Sequence, residues 1–150
     1  MNAPAPAGPS FQVTFDAHDP ERLGKFWAAA LGYVEQPPPG QFESWDAFLE
    51  SVGVPADERD KAYAIVDPAG VRPRVFLQKV PEGKTAKNRV HLDVNVGAGL
   101  SGPARREAAR KRADQLIALG ATELQEVEDP RFDEYCVVMQ DIEGNEFCLQ

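Results

Sequence analysis

The clearest signal in the chain is the strict alternation of Phe11-Gln-Val-Thr-Phe-Asp16. Phe11, Val13 and Phe15 fall on one side, and Gln12, Thr14 and Asp16 on the other, the period-two pattern of a half-buried strand. Asp19-Pro20 follows as a helix N-cap with proline at the first helical position. Leu23, Phe26, Trp27, Ala30 and Leu31 then recur at helical spacing until Gly32, a natural stop. This predicts an amphipathic helix of about three turns. Beyond the turn-rich Gln36-Pro-Pro-Pro-Gly40, Ser44 caps a short helix candidate whose apolar side is Trp45, Phe48 and Leu49. Residues 61–66 and 74–80 read as strands on either side of the turn Asp67-Pro-Ala-Gly70. Residues 81–88 read as an exposed connector.

After the connector the pattern starts again. In Arg89-Val-His-Leu-Asp-Val-Asn-Val96, Leu92, Val94 and Val96 alternate with His91, Asp93 and Asn95. A glycine-rich joint at 97–103 leads into a long helix ending at Leu119-Gly120, with Ala109, Ala113, Leu116 and Ile117 as its inward face. Strands at 134–140 and 145–150 flank the turn Asp141-Ile-Glu-Gly144. Leu31-Gly32 is echoed by Leu119-Gly120, and Asp67-x-x-Gly70 by Asp141-x-x-Gly144. The shared order of these echoes indicates an internal duplication: a leader over 1–10, a first module over about 11–80, a linker over 81–88 and a second module over about 89–150. Each module's first strand has an apolar face for its own helix to cover and a polar face opposite. The last strand keeps the same parity, with Phe147 and Leu149 apolar and Glu146 and Cys148 on the polar side. Two such sheets curving together would form a cup with helices outside and polar residues within, and a polar-lined cup is a binding site.

Composition removes several classes. At 150 residues, 43% hydrophobic and 27% charged, the chain is neither disordered, nor a coiled coil, nor a disulfide-built mini-domain. No apolar run approaches the roughly 18–20 residues that span a bilayer. The first ten residues lack the basic and apolar regions of a secretion signal, so a cytoplasmic chain with reduced thiols is expected. Cys136 and Cys148 lack the Cys-x-x-Cys spacing of zinc fingers or thioredoxin-like motifs. A formal net charge of −8 disfavours nucleic acid and anionic membranes as partners and favours cationic ligands. The basic run Arg105-Arg-Glu-Ala-Ala-Arg-Lys-Arg112 reads as a solvated helix face.

The stretches Gln12-Val-Thr-Phe-Asp-Ala-His-Asp-Pro-Glu-Arg-Leu-Gly-Lys-Phe-Trp-Ala-Ala-Ala-Leu-Gly32, Asn88-Arg-Val-His-Leu-Asp-Val94, Leu119-Gly-Ala121 and Asp141-Ile-Glu-Gly-Asn-Glu-Phe-Cys-Leu149 resemble, in this order, the vicinal oxygen chelate superfamily of glyoxalases, bleomycin-resistance proteins and extradiol dioxygenases. The resemblance implies an α+β fold of two βαβββ modules forming an open half-barrel with helices on its outer face. It also implies a small-molecule ligand and a homodimer. In the metal-using members four side chains project into the cavity. Their positions fall here on Gln12, His91, Cys148 and one of Arg74, Phe76 or Gln78, of which only Gln78 has ligand chemistry. That set lacks the two histidines and a carboxylate of iron-dependent extradiol cleavage, and no metal is favoured.

The resulting expectation is a glyoxalase/bleomycin-resistance-like protein that binds a small organic molecule without a tightly held metal. Gln12, Gln78, His91, Asp93, Glu146 and Cys148 would line the cup, Trp45 and Phe76 would form apolar walls, and Glu146 would be the candidate general base. One alternative is a lyase or isomerase of the glyoxalase type, with zinc, nickel, manganese or magnesium on Gln12, Gln78, His91 and Cys148. A second is a non-catalytic sensor or interaction subunit. Blander roles stand beside these: His91 as a hydrogen-bonding residue oriented by Asp93, Cys148 as a small apolar filler, Glu146 as a solvated rim residue, and Trp45, Phe48 and Phe76 as core plugs. A symmetric four-residue turn would set Val137, not Cys136, opposite Cys148.

Overall fold

Asp19 caps the first helix as its sequence implies: its carboxylate accepts the Arg22 N–H at 3.1 Å, Pro20 opens the helix, and Gly32 closes it at φ 68°. Residues 8–150 are described by the computed structural model, and the first seven residues of the expected leader lie outside the described residues. Among the described residues the chain runs β1 (Val13–Ala17), α1 (Pro20–Leu31), β2 (Val34–Glu35), α2 (Trp45–Ser51), β3 (Ala62–Val66), β4 (Val75–Lys79), β5 (Asp93–Val94), α3 (Gly102–Ala118), β6 (Thr122–Asp129), β7 (Glu134–Gln140) and β8 (Glu146–Leu149), with one 3-10 turn at Ala56–Glu58. The fold is α+β, with two four-stranded open sheets ordered β1-β4-β3-β2 and β5-β8-β7-β6. In both, the first strand runs parallel to the last and the remaining pairs are antiparallel. The same connection made twice is the duplication read from the sequence, with α2 added between the second and third strands of the first unit. The two compact units divide between Pro81 and Glu82.

In the first unit α1 covers one face of its sheet. Leu23, Phe26, Trp27 and Ala30 are buried against Ile65, Val75 and Leu77, and Trp27 stacks on Phe15 with ring centroids 5.2 Å apart. A Cβ at Gly24 would lie 2.2 Å from the Tyr63 ring, so that helix position has room only for hydrogen. In the second unit Ala109, Ala113 and Leu116 of α3 are buried with Val137, Met139, Phe147 and Leu149. The two Asp-x-x-Gly turns are built alike. Gly70 N–H donates to Asp67 O at 2.9 Å and Gly144 N–H to Asp141 O at 3.0 Å. Each aspartate is buried, with its carboxylate accepting backbone N–H groups from its own loop. Arg72 and three of these N–H groups hold the Asp67 carboxyl well below the usual range.

Several expectations are corrected. Phe11 lies outside β1 and is 71% exposed, because pairing with β4 begins only at Val13↔Val75. The strand expected over 89–96 narrows to Asp93–Val94, since it is an edge strand with β8 as its one ladder partner. Its flanks still bond to β8, through Cys148 N–H to Leu92 O and Val96 N–H to Gln150 O. Ile117 turns outward at 41% exposure, one residue beyond the Ala109, Ala113, Leu116 line that meets the sheet. The β7–β8 turn sets Val138, not Val137, opposite Cys148. Strands β2 and β6 had no sequence signal. The segment from 82 to 88 is largely exposed, but Lys84 and Asn88 fasten it to Glu146.

Candidate functional site

Each sheet carries its candidate residues on the face turned away from its helix. In the first unit that face holds Gln12, Thr14 and Asp16 of β1 and its lead-in, Arg74, Phe76 and Gln78 of β4 and its lead-in, and Ala62 and Ala64 of β3. Arg74 organises it. Its Nε donates to Gln36 Oε1 at 2.6 Å, its Nη1 donates to Gln12 Oε1 at 2.9 Å, and its guanidinium lies 5.2 Å from the centroid of the Phe76 ring. Gln78 Nε2 donates to Asp16 Oδ1 at 2.7 Å across the strand pair. A cleft of about 370 Å³ opens along β3, lined by Trp45, Leu49, Ala62, Ala64, Arg74 and Phe76 among others. Trp45 and Phe76 therefore share one cleft. No α2 side chain is fully buried, so Trp45 is no core plug. Its indole Nε1 donates to Gln36 O at 2.6 Å, which fixes the ring at the cleft wall.

In the second unit His91, Asp93 and Cys148 come together, with their ligand atoms all within 4.8 Å of one another. His91 Nε2 lies 3.1 Å from Asp93 Oδ1, the contact that their shared strand parity implies. Cys136 sits diagonally across the β7–β8 ladder from Cys148, on the same face. Both cysteines are free. Burial, with Cys136 and Asp93 adding to it, pushes the Cys148 thiol up to about 12, and burial raises Cys136 as well. A thiol so shifted stays protonated at neutral pH and is a poor nucleophile. The four side chains share a cleft of about 680 Å³ with Asn95 and Arg105.

Glu146 lies on the same strand face but is already engaged. Its Oε2 accepts the Asn88 N–H at 2.9 Å and lies 3.0 Å from Lys84 Nζ. These partners hold its carboxyl down to about 2, several units below the pH at which a general base works well. The segment 82–88 supplies both partners, and nothing in its composition marked that contact.

The donor set implied by the family resemblance can be compared with these registers. With Gln12 matched to His91, Thr14 corresponds to Asp93. The partner of Thr14 is Phe76 and the partner of Asp93 is Cys148. Phe76, not Gln78, therefore stands at the first-module counterpart of Cys148, and a phenyl ring is no ligand. The Gln12 oxygen that would bind a dication instead accepts from the Arg74 guanidinium, a positive charge at hydrogen-bond distance. The four-donor set drawn from both modules does not fit a divalent ion, whereas the second module alone presents nitrogen, oxygen and sulfur donors together. Arg74 is the residue that sequence reasoning passed over. Its strand parity puts it on the right face, but its partners Gln36 and Gln12 lie 38 and 62 residues away, beyond what a local pattern reveals.

A family model described as a glyoxalase-like domain matches residues 12–150. Among solved structures, the chain is similar to a glyoxalase/bleomycin resistance protein/dioxygenase family enzyme from Burkholderia phytofirmans PsJN, at 16% identity and TM-score 0.60 over 92% of this chain and 94% of that one. It is also similar to a mutant of the fosfomycin resistance protein FosX from Listeria monocytogenes, complexed with Mn(II) and 1S,2S-dihydroxypropylphosphonic acid, at 12% identity and TM-score 0.63 over 97% and 90% of the two chains. A hypothetical protein from S. aureus matches at 16% identity and TM-score 0.58 over 96% and 97%. No protein of curated function matches the chain. At these identities the structures speak for the fold alone, while the family model covers nearly the whole sequence. The chain belongs to the glyoxalase-like domain family of the vicinal oxygen chelate superfamily.

Proposed function

We propose that this protein binds a small, partly aromatic organic molecule on the polar faces of its sheets, as a glyoxalase/bleomycin-resistance-like binder that does not use the family's two-module metal site. The observation that carries this reading is the first-module cleft. Trp45, Leu49 and Phe76 form an apolar wall beside Arg74, whose two amide partners, Gln12 and Gln36, fix its guanidinium in place. Around that wall the cleft is also lined by the carboxylates of Asp19, Glu21, Glu35, Asp46, Glu58 and Asp60, and its volume of about 370 Å³ lies at the lower end of the usual range for a small-molecule site. The flat ring of a ligand would stack on Phe76 or Trp45, and Arg74 would donate to a carbonyl or anionic oxygen. The net charge of −8 is compatible with a ligand that also carries a cationic group. The cytoplasmic location and homodimer expected from the sequence belong to this reading.

Glyoxalase-type isomerisation is the weaker reading, because it calls for a carboxylate base and a hard-ligand metal site. Glu146 is held by Lys84 and Asn88, and Gln12 by Arg74. The test is a thermal-shift screen of small aromatic compounds, with hits followed by calorimetry on Phe76→Ala and Arg74→Ala. We expect hits whose affinity falls by about tenfold or more in each variant, the loss of a stacking or charge-assisted contact. Hits that bind both variants unchanged would move the site elsewhere and end the proposal.

A further inference from the structure

The second module holds four metal-ligating side chains that the small-molecule reading does not need. We propose that Cys136, Cys148, His91 and Asp93 form a binding site for one soft or borderline divalent ion, of the zinc or cadmium class, built entirely within this module. Three of the donors already converge, with the His91 nitrogen, an Asp93 oxygen and the Cys148 sulfur within 4.8 Å of one another. Within it, His91 Nε2 and Asp93 Oδ1 stand 3.1 Å apart. Around a tetrahedral zinc with bonds of about 2.0–2.3 Å, neighbouring ligand atoms are about 3.3–3.8 Å apart. The cluster therefore needs adjustments of about an ångström in side-chain torsions and no change in the sheet. Cys136 adds the fourth donor. It lies beside that convergent group and not within it, on the same side of the sheet and diagonally across β7–β8 from Cys148, and both cysteines line the same cleft.

The backbone makes the site rigid and the surface leaves it open. Asp93 and Cys148 are direct partners in the parallel β5–β8 ladder, so their spacing is set by strand pairing. His91 and Asp93 keep about 40% and 48% of their side-chain surface exposed, and all four donors border the cleft of about 680 Å³. An ion can enter without unfolding the module. Two sulfurs, one imidazole nitrogen and one carboxylate oxygen select zinc-like ions over magnesium or manganese, which prefer all-oxygen shells. On binding, each thiol gives its proton to solvent as its sulfur takes up the metal. The imidazole binds as the neutral ring, and no oxidant is involved. Only His91 and Cys148 coincide with the family's expected ligand positions. Asp93 and Cys136 are further donors of the second module's own, outside those positions.

The test uses the intact, reduced chain and Co(II) as an optical stand-in. Titration is expected to give about one equivalent of bound cobalt with a sulfur-to-cobalt charge-transfer band, displaced by stoichiometric zinc and not by about a thousandfold excess of magnesium. Cys148→Ser is expected to remove most of the band and weaken binding by about a hundredfold. Cys136→Ser is expected to remove about half of the band. Circular dichroism of each serine variant checks that the module still folds. X-ray absorption at the zinc edge of the unmodified protein counts sulfur ligands without any substitution, and two are expected. Zero or one sulfur, a band indifferent to Cys136→Ser, or displacement by magnesium would each overturn the proposal. Because Phe76 and Arg74 play no part in this site, its failure would leave the small-molecule reading untouched, and the reverse holds as well.

Discussion

Glu146 shows how a single residue's partners decide its chemistry. Strand parity puts its carboxylate on the polar face, where a base would be wanted, but the Asn88 N–H and Lys84 Nζ both engage its Oε2 and stabilise the ionised form. The consequence is a pH effect with a definite sign. The folded-state carboxyl is held down to about 2 against an ordinary 4.5. Its contribution to stability is therefore complete above the unfolded-state value and drains away as pH falls from about 4.5 toward 2. Glu146→Gln is expected to be less stable than the native chain at pH 7 in urea denaturation, and the two are expected to converge near pH 2. A gap that stays constant across that range would show that Lys84 and Asn88 do not hold the ionised form. At this scale the sequence made the side of the sheet legible for Gln12, Gln78, His91, Asp93 and Cys148, since period two is a local property. It left the partners unreadable, because Arg74 meets Gln12 across 62 residues and Asn88 meets Glu146 across 58.

At the scale of elements, the pieces that the sequence revealed are those whose apolar pattern and end signals agree: α1 with its aspartate cap, α2 with Ser44 accepting from Ala47 N–H at 3.1 Å, and β7 at its full expected length. Strand β6 escaped because Thr122–Asp129 carries four carboxylates and few apolar residues. Its pattern answers α3 rather than a hydrophobic core. Glu123, Glu126 and Glu128 face the helix, where Arg110 binds Glu123 through both guanidinium nitrogens at 2.5 and 3.1 Å and reaches Glu126 at 3.0 Å, while Arg106 pairs with Glu128. Tyr135 O–H donates to Glu126 at 2.9 Å on the adjoining strand. An edge strand held by charge escapes any search for apolar alternation. Arg110→Ala should leave three glutamates crowded on one strand face with a single arginine among them. A loss of about 1 kcal/mol is expected in urea denaturation at low salt, the scale of a partly exposed pair in a network, and less at about 1 M salt. A loss independent of salt would point instead to packing by the arginine stem.

For the whole molecule, the same pairing answers a question that composition alone left to averages. A chain of net charge −8 can still bind polyanions through a local basic patch, and 105–112 is the one run that would supply it. Its arginines are committed elsewhere. Arg105 bonds to Asp133, Arg106 to Glu128, Arg110 to Glu123 and Glu126, and Arg112 to Gln115. Three of those four arginines bond to residues of the β6–β7 region, so most of the run's arginine charge is returned to the protein's own acidic edge, leaving Lys111 and Arg112 as its outward cations. Polyanion binding is driven by release of counterions as cations meet phosphates, and a cation already paired with a carboxylate contributes little to that release. The chain is therefore expected to pass through heparin and duplex-DNA columns without retention at about 0.15 M salt. Retention that falls steeply with salt and is weakened by Arg106→Ala would mean that these pairs open readily. It would also shift weight from a small-molecule binder toward the interaction-subunit alternative, since the outer face of α3 would then be a surface for a partner.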